Sequence, residues 1–246
     1  MCYDISFKSN IKTIEDYFPG IRTEPQLSFD FYDLDWVQAQ ANMRYGCIVN
    51  ETNILSIEKM LWAGILNQKR ERVYNARSET VTDKKSLWYR FRKNRGLVPV
   101  TGIFEHRDVP GIKNKIPYHI RIADREIFYL PCLYDDGNIP NPKTGDIPRT
   151  FTLLTRKANS VMQEIHNADP ADPRMVLFLT PELEREWIKE DLPDDRMKEI
   201  FNYEISSNQL EFHTVFTIRT PKPRPDGKDK TEFYDWGPKV SPIIMP

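Results

Sequence analysis

The sequence predicts an α+β fold, a single domain in which antiparallel or mixed β-sheets are flanked by helices. Two observations carry this. Short segments at 97–103 (LVPVTGI), 117–122 (PYHIRI), 126–134 (EIFYLPCLY), 150–155 (TFTLLT), 175–179 (MVLFL) and 210–217 (LEFHTVFT) are rich in β-branched and aromatic residues and read as strands. The stretches 117–122 and 126–134 are separated only by ADR and read as a hairpin, and hairpin-linked strands belong to antiparallel or mixed sheets, not to a doubly wound parallel one.

Taken along the chain, residues 52–66 are compatible with two elements. Ile54, Ile57, Leu61 and Ile65 have helical spacing, yet Gly64 and the flanking apolar residues suit a buried strand equally. Residues 83–95 (DKKSLWYRFRKNR) fit a helix with Leu87 and Phe91 on one side. After the strands comes a helical stripe of Ala158, Val161, Met162 and Ile165, with Thr155 as a candidate cap. The segment 181–190 starts with Thr180 as N-cap and Pro181 in the first turn, and Glu182 and Glu184 sit near the positive end of the helix dipole. From about 218 the chain is rich in proline and charge and lacks periodicity, as an extended or flexible tail would be. The organisation expected is one domain over 1–217 and a tail over 218–246.

Composition narrows the function. The chain has 246 residues, enough to enclose a hydrophobic core. With 35 Lys+Arg against 36 Asp+Glu it is not a polycation, so any affinity for nucleic acid must come from a local basic face. Cys2, Cys47 and Cys132 are widely spaced, without a CxxC pair, which argues for a reducing compartment and against a zinc or dithiol site. The opening MCYDISFKSN has no basic region followed by an apolar run, and nothing later approaches the roughly 18 apolar residues of a membrane span. A cytosolic or nuclear protein is expected, nucleoid-associated in a bacterial host.

Cys2 is the first chemical candidate. If Met1 is removed, Cys2 carries an α-amine and a thiol on adjacent carbons, a pair that no internal cysteine has. Asn75 and Arg77 lie two apart, so in an extended segment they face one side and can share an anionic ligand; a turn asparagine and a surface arginine would look the same. Glu105 follows an apolar run at a strand end. If partly buried it has a raised pKa and suits general acid/base work, and otherwise it is an ordinary salt-bridged glutamate. His166 ends its helix, where an imidazole either caps carbonyls or shuttles protons. Between 84 and 95, Lys84, Lys85, Arg90, Arg92, Lys93 and Arg95 alternate with Trp88, Tyr89 and Phe91. Such charges and rings suit single-stranded nucleic acid, or else Trp88 and Phe91 are core.

Read together, Met1-Cys2, the NARSET stretch from Asn75, GIFEH over 102–106, the segment ending at His166 and the pair Arg174-Met175 resemble the SRAP family, the SOS response-associated peptidases or abasic-site processing proteins. The resemblance runs from Met1 to about Ile205, with Trp62 to Leu66 and Cys132 to Tyr134 as further counterparts. It implies a compact α+β domain of curved, largely antiparallel sheets with a barrel-like core and a basic cleft for single-stranded DNA. It implies covalent capture of abasic sites through Cys2 in a thiazolidine ring, with autocatalytic removal of Met1. Asn75 then orients the α-amine or sugar oxygen, Glu105 acts as general acid/base, and His166 assists proton transfer. Arg77 grips a flanking phosphate, and Arg174, Trp62, Lys84, Lys85, Arg90 and Arg92 are the further DNA-binding candidates. No cofactor, metal or membrane is expected, the partner is single-stranded DNA with abasic sites, and the protein is expected to be a monomer.

The chain departs from the family pattern at several places. Tyr3 and Asp4 stand where glycine and arginine are usual, which removes a phosphate contact and puts a negative charge beside the nucleophile. The segment 61–70 lacks the pattern's proline and second tryptophan, His106 replaces a tryptophan, NADPADP over 167–173 is an insertion, and Val176 replaces a proline. Two other readings remain: a Cys2, His166 and Glu105 hydrolase acting on amides without DNA, and a non-catalytic module that binds single-stranded DNA.

Overall fold

A computed structural model describes residues 2–23, 33–41, 43–66, 71–137, 145, 147–220 and 223–243. Met1, residues 67–70 of the 61–70 segment, and residues 221–222 and 244–246 of the C-terminal stretch lie outside the described residues. In chain order the elements are β1 (Asp4–Phe7), α1 (Ile11–Tyr17), β2 (Leu34–Gln38), β3 (Arg44–Glu51), β4 (Ile54–Leu61), β5 (Ile65–Leu66), β6 (Arg72–Val73) and β7 (Asn75–Arg77). They continue with β8 (Arg95–Val100), β9 (Gly102–Arg107), β10 (Ile116–Ile122), β11 (Phe128–Asp135), β12 (Thr150–Lys157), α2 (Ser160–Ile165), β13 (Arg174–Val176), α3 (Pro181–Trp187), α4 (Asp194–Asn202) and β14 (Leu210–Thr214).

The larger sheet runs β11-β8-β3-β4-β12-β13, and an extra β11 to β12 pairing closes its first five strands into a barrel. Closure leaves those strands no open edge. A second sheet, β14-β10-β9-β1-β2, is antiparallel throughout. Among the described strands only β4 and β7 run parallel to β12, so the architecture is the expected α+β domain of curved, largely antiparallel sheets. All six residues of β8 are buried, which explains its unbroken apolar run: the barrel covers one face and α3 the other. Trp187 of α3 donates from Nε1 to the Gly96 carbonyl at 3.0 Å.

Several local expectations are corrected. Segments 117–122 and 126–134 do not form a hairpin: β10 is bonded on both edges by β9 and β14, and β11 on both edges by β8 and β12. The chain crosses from one sheet to the other through Asp124, which has a left-handed φ of 58°. The stretch 97–103 is likewise the end of one strand and the start of another, broken at Thr101, whose N–H bonds Ser6 O at 2.9 Å. Residues 54–61 settle as a strand because β3 and β4 pair along their whole length, from Arg44↔Leu61 to Glu51↔Ile54. The hairpin turns on Thr52 and Asn53, both at positive φ. Residues 83–95 form no α-helix but a 3₁₀ turn, Leu87–Phe91, with Trp88 and Phe91 buried. The cap of α2 is Asn159, not Thr155; its side chain accepts from Met162 N at 3.0 Å. Thr180 caps α3 as expected.

Glu184 in α3 is fully buried and accepts from Arg125 Nη2 at 2.8 Å, Tyr17 Oη at 2.7 Å and Tyr129 N at 3.0 Å. Burial pushes its carboxyl above the usual range, and Arg125 works against that rise. Arg125→Met is therefore expected to destabilise the domain by about 3–5 kcal/mol at pH 7, the cost of a buried carboxylate that has lost its cation. The loss should shrink at pH 5. A group whose folded pKa is raised is best tolerated when protonated, and its contribution fades as pH rises through that pKa. Urea unfolding at the two pH values checks this.

Candidate active site

The second sheet and the barrel meet at the N-terminus. Cys2 is fully buried, and its carbonyl accepts from Asn75 Nδ2 at 3.0 Å. Asn75 is held there by the barrel, since β7 lies parallel to β12 with Leu153↔Asn75 in register. Its Oδ1 is buried with no hydrogen-bond partner among the described residues, an acceptor left over beside Cys2. Burial, followed by the charge of Glu105, pushes the Cys2 thiol well above its ordinary pKa, so the sulfur is protonated at neutral pH.

Glu105 comes from β9, the strand that pairs with β1 through Asp4↔Phe104 and with β10 through Tyr118↔Glu105. Gly102 makes this arrangement possible. A Cβ there would stand 2.0 Å from His119 Nε2, and that nitrogen bonds Ser6 Oγ at 3.0 Å, tying β10 across β9 to β1. Glu105 is buried, and its Oε1 has no partner among the described residues. Burial pushes its carboxyl up to about 7, so both protonation states are available at neutral pH.

His166 ends α2, which docks on β9. Arg107 pairs with Glu164 at 3.7 Å, and the Asn167 side chain accepts from Asp108 N at 2.8 Å and donates to Asp108 O at 2.9 Å. Burial first, then nearby positive charge that includes Lys115, lowers His166 to about 4, so its imidazole is neutral in the cell. The fold thus gathers Cys2, Asn75, Glu105 and the His166 end of α2 around one N-terminal segment.

The other candidates separate. Arg77 is exposed and pairs with Asp172 of the inserted 167–173 loop. Arg174 is interior: its guanidinium grips Glu79 with bonds of 2.6 and 2.8 Å and donates to Thr155 O at 2.9 Å. Trp62 is fully buried and stacks on Phe151, with ring centroids 5.8 Å apart and planes 12° apart, so it forms core instead of the DNA-binding contact expected of it. Lys84, Lys85 and Arg90 are exposed, whereas Arg92 lies over the Tyr89 ring at 3.8 Å and pairs with Asp194 at 3.1 Å.

Three further residues border these groups; in the sequence His106 stands only as a departure from the family pattern, and Lys115 and Arg219 escaped it. His106, beside Glu105, is held down to about 4, chiefly by burial. Lys115 is exposed and its charge acts on Glu105, His106 and His166. Arg219 pairs with Asp4, which also accepts from Trp36 Nε1 at 2.8 Å. The charge of Asp4, expected to stand uncompensated beside the nucleophile, is therefore neutralised from a position 215 residues away. No local pattern announces a contact of that range.

A sequence model of the SOS response associated peptidase (SRAP) family matches residues 1–218. The chain belongs to the SRAP family. Among its curated relatives within that family, the abasic site processing protein YoqW of Bacillus subtilis (strain 168) is 26% identical over 181 residues, which is 71% of this chain and 76% of YoqW. The abasic site processing protein YoaM of the same organism is 25% identical over 183 residues, 71% of this chain and 75% of YoaM. A crystal structure of a protein from Bacteroides thetaiotaomicron superposes with a TM-score of 0.73 at 24% identity, covering 94% of this chain and 97% of that one, and shares the SRAP-type fold. Among the described residues no helix is long and apolar enough to cross a membrane.

Proposed function

We propose that this SRAP protein captures abasic sites in single-stranded DNA as a thiazolidine on Cys2, after removing Met1 from itself. The reading is carried by the Asn75 Nδ2 bond to the Cys2 carbonyl beside the buried Glu105, which holds residue 2 in place and sets an acid/base group of matched pKa next to it. The names of the curated relatives point to the same lesion.

The chemistry follows from the atoms. An abasic deoxyribose opens to an aldehyde, and an N-terminal α-amine with a pKa of about 7.7–8.0 is neutral often enough to attack it. The amine adds to the carbonyl carbon, its proton passing to the oxygen, and protonated Glu105 then gives its proton to the departing hydroxyl, so that water and an iminium result. The Cys2 sulfur adds to the iminium carbon and its proton passes to the Glu105 carboxylate, which restores the carboxylic acid and closes a five-membered ring whose nitrogen keeps its own proton. An imine alone invites β-elimination and strand cleavage, whereas the ring holds the lesion intact. Neutral His166 accepts and returns protons at the aldehyde oxygen, and Arg77 contacts a flanking phosphate. Removal of Met1 is hydrolysis of the bond that precedes Cys2, with Glu105 activating the water.

Purified protein mixed with single-stranded DNA carrying one abasic site is expected to give a heat-stable adduct, and its intact mass should lack Met1. Protein that has lost Met1 yet forms no adduct would refute the reading.

A further inference from the structure

The chain beyond Ile218 contributes to the same site. It runs as a strap beside β14, the outer strand of its sheet. Tyr234 N donates to Thr214 O at 2.9 Å, Thr214 Oγ1 to Tyr234 O at 2.7 Å, and Trp236 Nε1 to Val215 O at 2.9 Å. Arg224 is buried and knots the strap, donating to Asp229 O at 2.9 Å, Glu232 O at 2.6 Å and Phe233 O at 3.0 Å while pairing with Asp226. This anchoring brings two cations to the nucleophile's side of the sheet. Arg219 reaches Asp4, two residues from Cys2, and Lys230 Nζ lies 4.0 Å over the Trp36 ring and 2.9 Å from Ile218 O. Trp36 joins the two by its bond to Asp4.

The Arg219 pair is asymmetric. Asp4 is 1% exposed, whereas the Arg219 side chain is 42% exposed. The bonds to Asp4 use Nε and Nη2, and Nη1 has no partner among the described residues. A buried carboxylate thus orients a guanidinium and leaves one edge of it available, the form in which arginine grips a phosphate. Lys230 has two further ammonium donors beside it, and the face of an aromatic ring underneath.

We infer that Arg219 and Lys230 bind the phosphodiester backbone of single-stranded DNA next to Cys2, so that the C-terminal segment forms part of the nucleic-acid interface. This rests on the abasic-site reading for its ligand but is tested without the lesion. The probe is a fluorescent single-stranded oligonucleotide with all bases intact, and the readout is anisotropy across a salt series. In Asp4→Asn/Arg219→Gln the buried carboxylate and its cation leave together, so net charge is unchanged and no buried charge is stranded. That variant is expected to bind roughly three- to tenfold more weakly, with a salt slope lower by about 0.7, one phosphate contact on a single strand. Lys230→Ala, which leaves the Asp4 pair intact, should lower the slope by a similar amount. Wild-type affinity and slope in a folded double variant, or an unchanged slope in Lys230→Ala, would overturn the inference, as would wild-type protein that does not bind the oligonucleotide. Covalent capture plays no part in this assay, so a missing adduct with intact-strand binding preserved would count against the proposed chemistry alone.

Discussion

Cys2→Ala is expected to abolish the heat-stable adduct while leaving the α-amine able to form an imine. The substitution removes one sulfur from a fully buried site where, among the described residues, its hydrogen bond is a weak 3.5 Å contact from Sγ to Asp4 O, so the fold should survive. What is lost is ring closure. An imine left open undergoes β-elimination, so strand scission at the lesion should rise as the adduct disappears. Borohydride, which reduces an imine to a stable amine, should restore a covalent product with the variant. Gel analysis of labelled DNA reads all three outcomes, and a heat-stable adduct formed by Cys2→Ala without reductant would rule out the thiazolidine.

Glu105→Gln should slow adduct formation by about 10²–10⁴-fold, the range of a positioned general acid or base. Its pH dependence is more telling than its size. In the proposed reaction the wild type needs the protonated Glu105 carboxyl, which falls away as pH rises through about 7. It also requires the neutral α-amine, which accumulates as pH rises through about 7.7–8.0. The product of the two gives a bell with its maximum between those values. Glutamine cannot titrate, so the variant should lose the alkaline limb and climb with pH to a plateau. The same variant is expected to retain Met1 when it is produced in cells whose own aminopeptidase is inhibited, which intact mass reports. A bell retained in Glu105→Gln would assign the alkaline limb to another group.

Much of the fold was legible because it is written in local pattern. The strands at 126–134, 150–155 and 210–217 carry β-branched and aromatic residues whose period and length are readable one segment at a time. Thr180 and Pro181 mark a helix start by their own chemistry, since the side-chain oxygen accepts from Leu183 N and the ring needs no amide partner. The errors fall where partner choice matters. β10 and β11 look like a hairpin because three residues separate the two apolar segments, yet each strand is paired on both edges elsewhere. Residues 54–61 could not be assigned until β3 lay beside them.

The site divides in the same way. Cys2, Asn75, Glu105 and His166 were proposed from residue types in motif order, and the fold brings Asn75 to the Cys2 carbonyl. Trp62 and Arg174 belong to the same motifs, but their surroundings, not their identity, decide whether they face DNA or the core. The sequence by itself determined the chemistry that is proposed: an amine and a thiol on adjacent carbons would stand together at Cys2 once Met1 is lost, and that is a matter of covalent order. The tertiary structure alone decided the electrostatics around them. A carboxyl rises to about 7 only when burial strips its water, and Asp4 is neutralised only because folding delivers Arg219 across 215 residues. Desolvation and long-range pairing depend on what surrounds a group in space, and no window of sequence contains that.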